Sequence, residues 1–236
     1  MPRSALAPLT AHNACIVGCR RCPRLVHWRE QVAQEKRAAF RHETYWGRPV
    51  PGFGDPQARL LVCGLAPAAH GGNRTGRVFT GDRSGDWLYA ALHRAGFANQ
   101  PTSRHRDDGL QLTACYVTAC VRCAPPDNQP TPEERDLCLG YLVEDLRLLP
   151  RVRGIVCLGS FAWDGMLRAL RQLGHAAPRK PKFGHGAAAD IGPYKLFGCY
   201  HPSQQNTFTG RLTEKMLDEV FKRAAKWSHP ASEQRM

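Results

Sequence analysis

Four thiols are spaced so that they could converge on one inorganic centre: Cys19-x2-Cys22 near the N-terminus and Cys123-x14-Cys138 in mid-chain. Each pair lies beside turn-forming residues, Cys22-Pro23 in the first and Cys123-Ala124-Pro125-Pro126 in the second. Sharp bends of that kind let sulfurs from distant segments aim at a single metal or cluster. A rival set exists, because Cys120-x2-Cys123 is a second pair of the same type. With Cys19 and Cys22 it would make a four-thiolate zinc site in a non-catalytic nucleic-acid-binding module. Spacing alone admits zinc and an iron–sulfur cluster alike.

A second set of residues could act on a bound ligand. Gly64-Leu65-Ala66-Pro67-Ala68-Ala69-His70-Gly71-Gly72 leads through Arg74, Arg77 and Phe79 to Asp82. Small residues let a backbone approach a ligand closely. The glycine spacing matches neither a P-loop nor a dinucleotide fingerprint. Asn128 closes a proline-rich turn after Cys123, and His201-Pro202-Ser203-Gln204-Gln205-Asn206-Thr207-Phe208-Thr209-Gly210-Arg211 forms a third polar stretch. Carboxylate, amide, imidazole, aromatic ring and guanidinium groups are all present. Each has a plain structural reading as well: Asp82 as a helix cap, Asn128 as a turn residue, Phe79 as core.

Those segments meet only if regular elements bring them to one edge. Apolar runs at 59–66, 114–121, 154–159 and 194–200 read as buried strands, with helical periods at 84–95, 131–149, 160–173 and 211–226. Alternation of this kind predicts an α/β fold, a three-layer α/β/α single domain around a central four-stranded parallel sheet. Thr131, Pro132 and Glu134 form the start signal of a capped helix that carries Cys138 about two turns in. The odd motifs then fall just after strands, at the carboxyl edge where open parallel sheets bind ligands. The stretch 176–190 reads as a basic loop, and 1–14 and 228–236 read as disordered tails flanking a domain over 15–227.

The chain has 236 residues, 42% of them hydrophobic, and a net charge of +13 that points to a polyanionic partner. No run of about 18 apolar residues suggests a membrane span, and residues 1–15 lack the apolar core of a secretory signal. Ten cysteines without such a signal fit a reducing, cytoplasmic setting and metal ligation better than a disulfide framework.

The ordered motifs resemble those of the uracil-DNA glycosylase superfamily, and within it the fifth family, whose members carry a 4Fe-4S cluster. The likeness runs over 19–221 and rests on Gly64-Leu65-Ala66-Pro67-Ala68, on Val121-Arg122-Cys123-Ala124-Pro125-Pro126-Asp127-Asn128, and on His201-Pro202-Ser203 with Asn206-Thr207 and Gly210-Arg211. It implies a structural cluster on Cys19, Cys22, Cys123 and Cys138. It also implies a monomeric DNA-repair enzyme that flips uracil from DNA and hydrolyses its glycosidic bond. Gly64, Leu65, Ala66 and Ala68 would line the base pocket, Phe79 would stack on the base, and His201 would donate to its O2. Ala68-Ala69 stands where many superfamily members orient the attacking water, and Asp82, the acid that ends the loop, is the candidate replacement. Ala119 stands where the fourth family has an asparagine that reads uracil. A looser pocket that also admits hypoxanthine is therefore expected, with Asn128 as a substitute amide. Arg74, Arg77 and Arg211 would hold phosphates, and the loop of Ser203, Gln204, Gln205, Asn206 and Phe208 would enter the duplex.

Overall fold

The computed structural model describes residues 6–228. Its frame is a six-stranded sheet in the order β1-β3-β2-β4-β6-β5. The strands are β1 (Phe53–Gly54), β2 (Leu60–Gly64), β3 (Cys115–Ala119), β4 (Gly154–Leu158), β5 (Ala188–Ile191) and β6 (Tyr194–Cys199). The four expected strands are present and pair in parallel. The expected count of four is corrected to six, because β1 and β5 add antiparallel edges. Both additions lacked a readable signal. β1 has two residues, and β5 lies largely within the stretch read as a basic loop, where only Ile191 is buried.

Side-chain alternation explains the layers. Leu60, Val62, Val117, Val156 and Leu158 face one core, while Leu61, Cys63, Tyr116, Ile155 and Cys157 face the other. Successive strand residues point to opposite faces, and a sheet buried on both sides needs an apolar residue at each position. Helices α4 (Arg83–Arg94) and α8 (Glu214–Ser228) cover the first face. The second is covered by α5 (Pro132–Leu148) and α6 (Ser160–Gln172), with α1 (Leu6–Val17) packed on α5. The capping box of Thr131 and Glu134 forms as its residues predict.

The N-terminal tail is corrected as well. Residues 6–14 lie in α1, and only 1–5 fall outside the described residues; of the C-terminal tail, Ser228 ends α8 and 229–236 fall outside them. His12 explains the order of α1, since its Nε2 sits 3.0 Å from Asp145 Oδ1 on α5. Three further helices were not foreseen: α2 (Pro23–Glu35), the single turn α3 (Gly72–Thr75) and α7 (Gln204–Phe208). Among the described residues, no helix is long and apolar enough to cross a membrane.

Candidate active site and thiol cage

Residues at or just past the carboxyl ends of β2, β4 and β6 meet at one edge of the sheet. The chain leaves β2 toward β3 on one side and reaches β4 on the other, which opens the crevice where such sheets take ligands. Gly64 ends β2 and pairs in register with Ala119 of β3. A Cβ on Gly64 would fall 2.5 Å from Phe79 Cζ, so the ring lies over the glycine backbone. Phe79 holds this place with a left-handed backbone, φ 50°, unusual for a large side chain and typical of strain kept at functional sites. Its ring centroid is 5.8 Å from that of His201, tilted by 32°. Gly159, just past β4, lies under the same histidine.

No described group is hydrogen-bonded to the His201 ring nitrogens, while its carbonyl accepts from Asn206 Nδ2 at 2.9 Å. Burial pushes the imidazole down to about 4, so at neutral pH it is uncharged with one N–H to donate. Phe79 and His201, named from sequence, are thus brought together with Gly64, and Ala119 completes the wall.

Asp82 takes the helix-cap position. Its Oδ1 accepts from Gly85 N at 2.9 Å at the start of α4, and its Oδ2 lies over Gly71, where a Cβ would come within 1.9 Å. Burial pushes its carboxyl above the usual range, opposed by the Gly85 amide and reinforced by the charge of Asp86. Capping uses one oxygen and leaves the other toward the glycine pair. Asn128 stands apart. It is exposed at the tip of the turn after β3, in a left-handed conformation (φ 56°) that asparagine tolerates, and it touches neither Phe79 nor His201.

Two expected phosphate contacts are corrected. Arg77 is 3% exposed; it donates to Thr80 Oγ1 (2.9 Å), Ser103 Oγ (2.9 Å), the Arg106 carbonyl (3.1 Å) and both oxygens of Asp108. Arg74 is buried, donating to Glu43 and to the carbonyls of His70 and Gly81, with its guanidinium 3.9 Å from the Phe40 ring centre. The Arg77 guanidinium is taken up inside the protein, and each Arg74 guanidinium nitrogen already has a protein partner. Arg211 is different: it is exposed, stacked 4.7 Å from the Tyr200 ring centre, just ahead of α8.

The His-Pro-Ser loop is built as a rigid turn. Ser203 caps α7, Leu212 N donates to the Asn206 carbonyl, and Arg83 reaches from α4 to Thr207 Oγ1 at 3.3 Å. Gln204 and Gln205 are exposed, and Phe208 is 68% exposed, with Arg83 over its ring.

Cys19, Cys22, Cys123 and Cys138 line one small recess with Leu25, Val26 and Tyr141. Three segments supply them: the turn before α2, the turn after β3, and α5. The four sulfurs lie within electrostatic range of one another, and burial first, then this mutual repulsion, pushes the Cys138 thiol up to about 11. Hydrogen-bond donors ring the recess. Arg29 Nη1 points at Cys123 Sγ (3.5 Å) and the Arg122 amide at Cys138 Sγ (3.4 Å). Among the described residues, no group of three or more His, Cys, Asp or Glu side chains is arranged to hold a single metal ion. The rival zinc set fails on direction, because Cys120 turns away to Cys63, with sulfurs 3.6 Å apart in the core under α6.

Comparisons with known proteins agree with this geometry. The model of the family "Uracil DNA glycosylase superfamily" matches residues 51–225. A type-5 uracil-DNA glycosylase of Mycobacterium leprae is 59% identical over 91% of this chain and 93% of its own length. One from Mycobacterium tuberculosis is 58% identical over 91% of this chain and 80% of its own length. One from Thermus thermophilus is 53% identical over 89% and 93%. A type-4 enzyme of Pyrobaculum aerophilum is more distant, at 30% over 67% of this chain. The family model over 51–225 and type-5 relatives at 53–59% identity, on a fold that agrees with them, place this chain in the uracil DNA glycosylase superfamily, in its type-5 branch.

Proposed function

We propose that this protein hydrolyses the glycosidic bond of uracil, and of hypoxanthine, in DNA, leaving an abasic site. The observation that carries the reading is the uncharged, unengaged imidazole of His201 beside Phe79, which lies over the bare backbone of Gly64. A base inside a duplex is out of reach, so the nucleotide must be extruded into this pocket. Phe79 then offers a ring to stack on it, and Gly64, Leu65, Ala66 and Ala68 supply a close backbone wall. As the C–N bond breaks, its electron pair leaves with the base, and charge gathers on the base oxygens. A neutral His201 N–H meets that charge as an oxyanion donor without a charge of its own to desolvate. Water adds to the anomeric carbon and gives up a proton. On this reading the Asp82 oxygen over Gly71 accepts it, and Asn128, exposed at the tip of the turn after β3, takes no part. Of the three arginines expected at phosphates, Arg211 is the one that stays exposed and would hold one, and exposed Phe208, with Gln204 and Gln205, suits the gap left by the flipped base.

Single-turnover excision from duplexes carrying one deoxyuridine or one deoxyinosine tests this directly. Both bases should be released, because Ala119 places no amide against the base edge. Release of neither would refute the reading, and release of uracil alone would refute the loose-pocket part of it.

Asp82→Asn separates capping from catalysis. The amide oxygen can still accept from Gly85 N, so stability should barely move, whereas excision should slow by about 10²-fold, the low end for a lost general base. Near-normal excision by this variant would return Asp82 to a purely structural role.

The four-thiol recess fits an iron–sulfur cluster. The four thiols line one recess from three segments, and a guanidinium and a backbone N–H point at the sulfurs of Cys123 and Cys138, the kind of donor that supports thiolate-held clusters. Cys19, Cys22, Cys123 and Cys138 would hold a 4Fe-4S group that ties the turn before α2 to α5. Bound there, the cluster supplies a cross-link, since hydrolysis moves no electrons. Purified protein should carry about four irons per chain and a visible thiolate-to-iron band. Cys138→Ser should lose both and unfold earlier; a colourless, iron-free wild type of full stability would refute the assignment.

A further inference from the structure

The corrected roles of Arg74 and Arg77 leave a question about where DNA meets this face. Both arginines sit in the motif loop, yet neither can reach a phosphate. Arg77 instead fastens the segment 103–108 to that loop. It binds Asp108 through both carboxylate oxygens, Ser103 through its hydroxyl and Arg106 through its carbonyl. Thr80 Oγ1 lies 2.7 Å from Ser103 Oγ, and Gly81 N donates to the Ser103 carbonyl at 2.9 Å. Asp108 also accepts from the amides of Arg104 and Leu110, which fixes the turn from within. An exposed loop is thereby joined to the segment that carries Phe79 and Asp82.

This loop presents Arg104, His105 and Arg106 to solvent, with Asp107 the exposed carboxylate among them. Arg104 and Arg83 both lie within charge range of Asp86, on the first turn of the helix that Asp82 caps. Arg106 stacks 4.7 Å from the Trp46 ring centre, and exposed Arg48 stands 5.8 Å from the same ring. Trp46 and Gly47 are in turn held by the carbonyls of Arg74 and Asn73. A row of cations therefore runs from Thr207 and Phe208 of the His-Pro-Ser loop, through Arg83 and Arg104, to Arg106, Trp46 and Arg48. It passes the open groove that holds Asp82.

We infer that segment 103–108 is a further phosphate-binding element, carrying Arg104 and Arg106 against the DNA backbone beyond the target nucleotide with Arg77 as its internal strut. A rigid mounting makes such contacts efficient, because little ordering entropy is lost when a phosphate arrives. The inference rests on the glycosylase reading for the identity of the DNA substrate, but its test does not need excision.

Affinity of the full protein for an unmodified duplex and for a deoxyuridine duplex is measured over a salt series, for wild type, Arg104→Ala, Arg106→Ala and Lys222→Ala. Each neutralised phosphate contributes a slope of about 0.9 in log affinity against log salt. Arg104→Ala and Arg106→Ala should each flatten the slope by about one. Lys222→Ala, on an exposed cation of α8, should leave it unchanged. Arg77→Met should flatten the slope even with Arg104 and Arg106 intact, and should lower the melting temperature. Unchanged slopes in both surface variants would overturn the phosphate assignment, and a full slope in Arg77→Met would overturn the strut. A wild type that binds DNA with these slopes yet releases no base would sink the glycosylase reading alone.

Discussion

Asp145→Ala should lower the unfolding free energy by about 3–5 kcal/mol, the usual cost of stranding one partner of a buried ion pair. Asp145 lies on α5 with no solvent exposure and Arg122 lies past β3 with 1%. The carboxylate takes the Arg122 guanidinium and the Thr118 hydroxyl on Oδ2, and His12 on Oδ1. Arg122 also donates to Thr118, and its main-chain amide points at Cys138. One carboxylate thus joins α1, β3, α5 and the thiol recess. Removing it leaves a guanidinium in the interior whose Nε already lacks a partner. Urea unfolding of the two proteins decides the matter; a loss under about 1 kcal/mol would mean that water enters and the pair contributes little.

The same residue sets the direction of the acid response. Burial favours the protonated acid, yet the Arg122 charge and the hydrogen bonds from His12, Arg122 and Thr118 outweigh it and hold the carboxyl below its ordinary value. A depressed folded value means that the unfolded chain binds the proton first. The stabilisation is present above the unfolded value, about 3.9, and is lost as pH falls through the folded one. Asp145→Asn should therefore flatten the decline in stability over that acid range.

The parts of this fold that were legible share a physical cause. Leu60 to Gly64 or Gly154 to Leu158 must be apolar at each position because both sheet faces are covered, and that leaves an unbroken run in the sequence. Thr131 and Glu134 announced α5 because capping is local chemistry. That Cys19, Cys22, Cys123 and Cys138 share one recess, and that Phe79 meets His201, was legible through ordered motifs. Pairings across long separations were not. Arg77 reads as a free cation until Asp108, 31 residues on, proves to be its partner. The segment before Cys15 reads as a tail until His12 meets Asp145, 133 residues away. A guanidinium in a glycine-rich loop looks the same in sequence whether it faces a phosphate or a buried carboxylate. The resemblance therefore overstated the phosphate contacts of the motif loop, and nothing in the sequence singled out the exposed loop that Arg77 holds.

His201→Ala should slow single-turnover excision of uracil by about 10²–10³-fold, or about 2.7–4 kcal/mol of barrier, the cost of deleting one oxyanion donor. Stability should change far less, because the ring has no hydrogen-bond partner to strand and its fixed carbonyl contact with Asn206 belongs to the backbone. His201→Gln should recover part of the rate, since an amide N–H can reach a similar place without charge. The pH profile separates a neutral donor from a cationic one. With the folded imidazole depressed to about 4, its uncharged form prevails throughout the range where a free histidine titrates. The rate should then show no break near 6.5, the ordinary histidine value. A fall in rate on deprotonation there would mean that imidazolium is the active form, and a rate unchanged in His201→Ala would mean that the departing base finds its donor elsewhere. On the proposed reading burial makes the neutral form the working one: the walls of Gly64 and Phe79 that would receive a flipped base also strip water from the imidazole beside them.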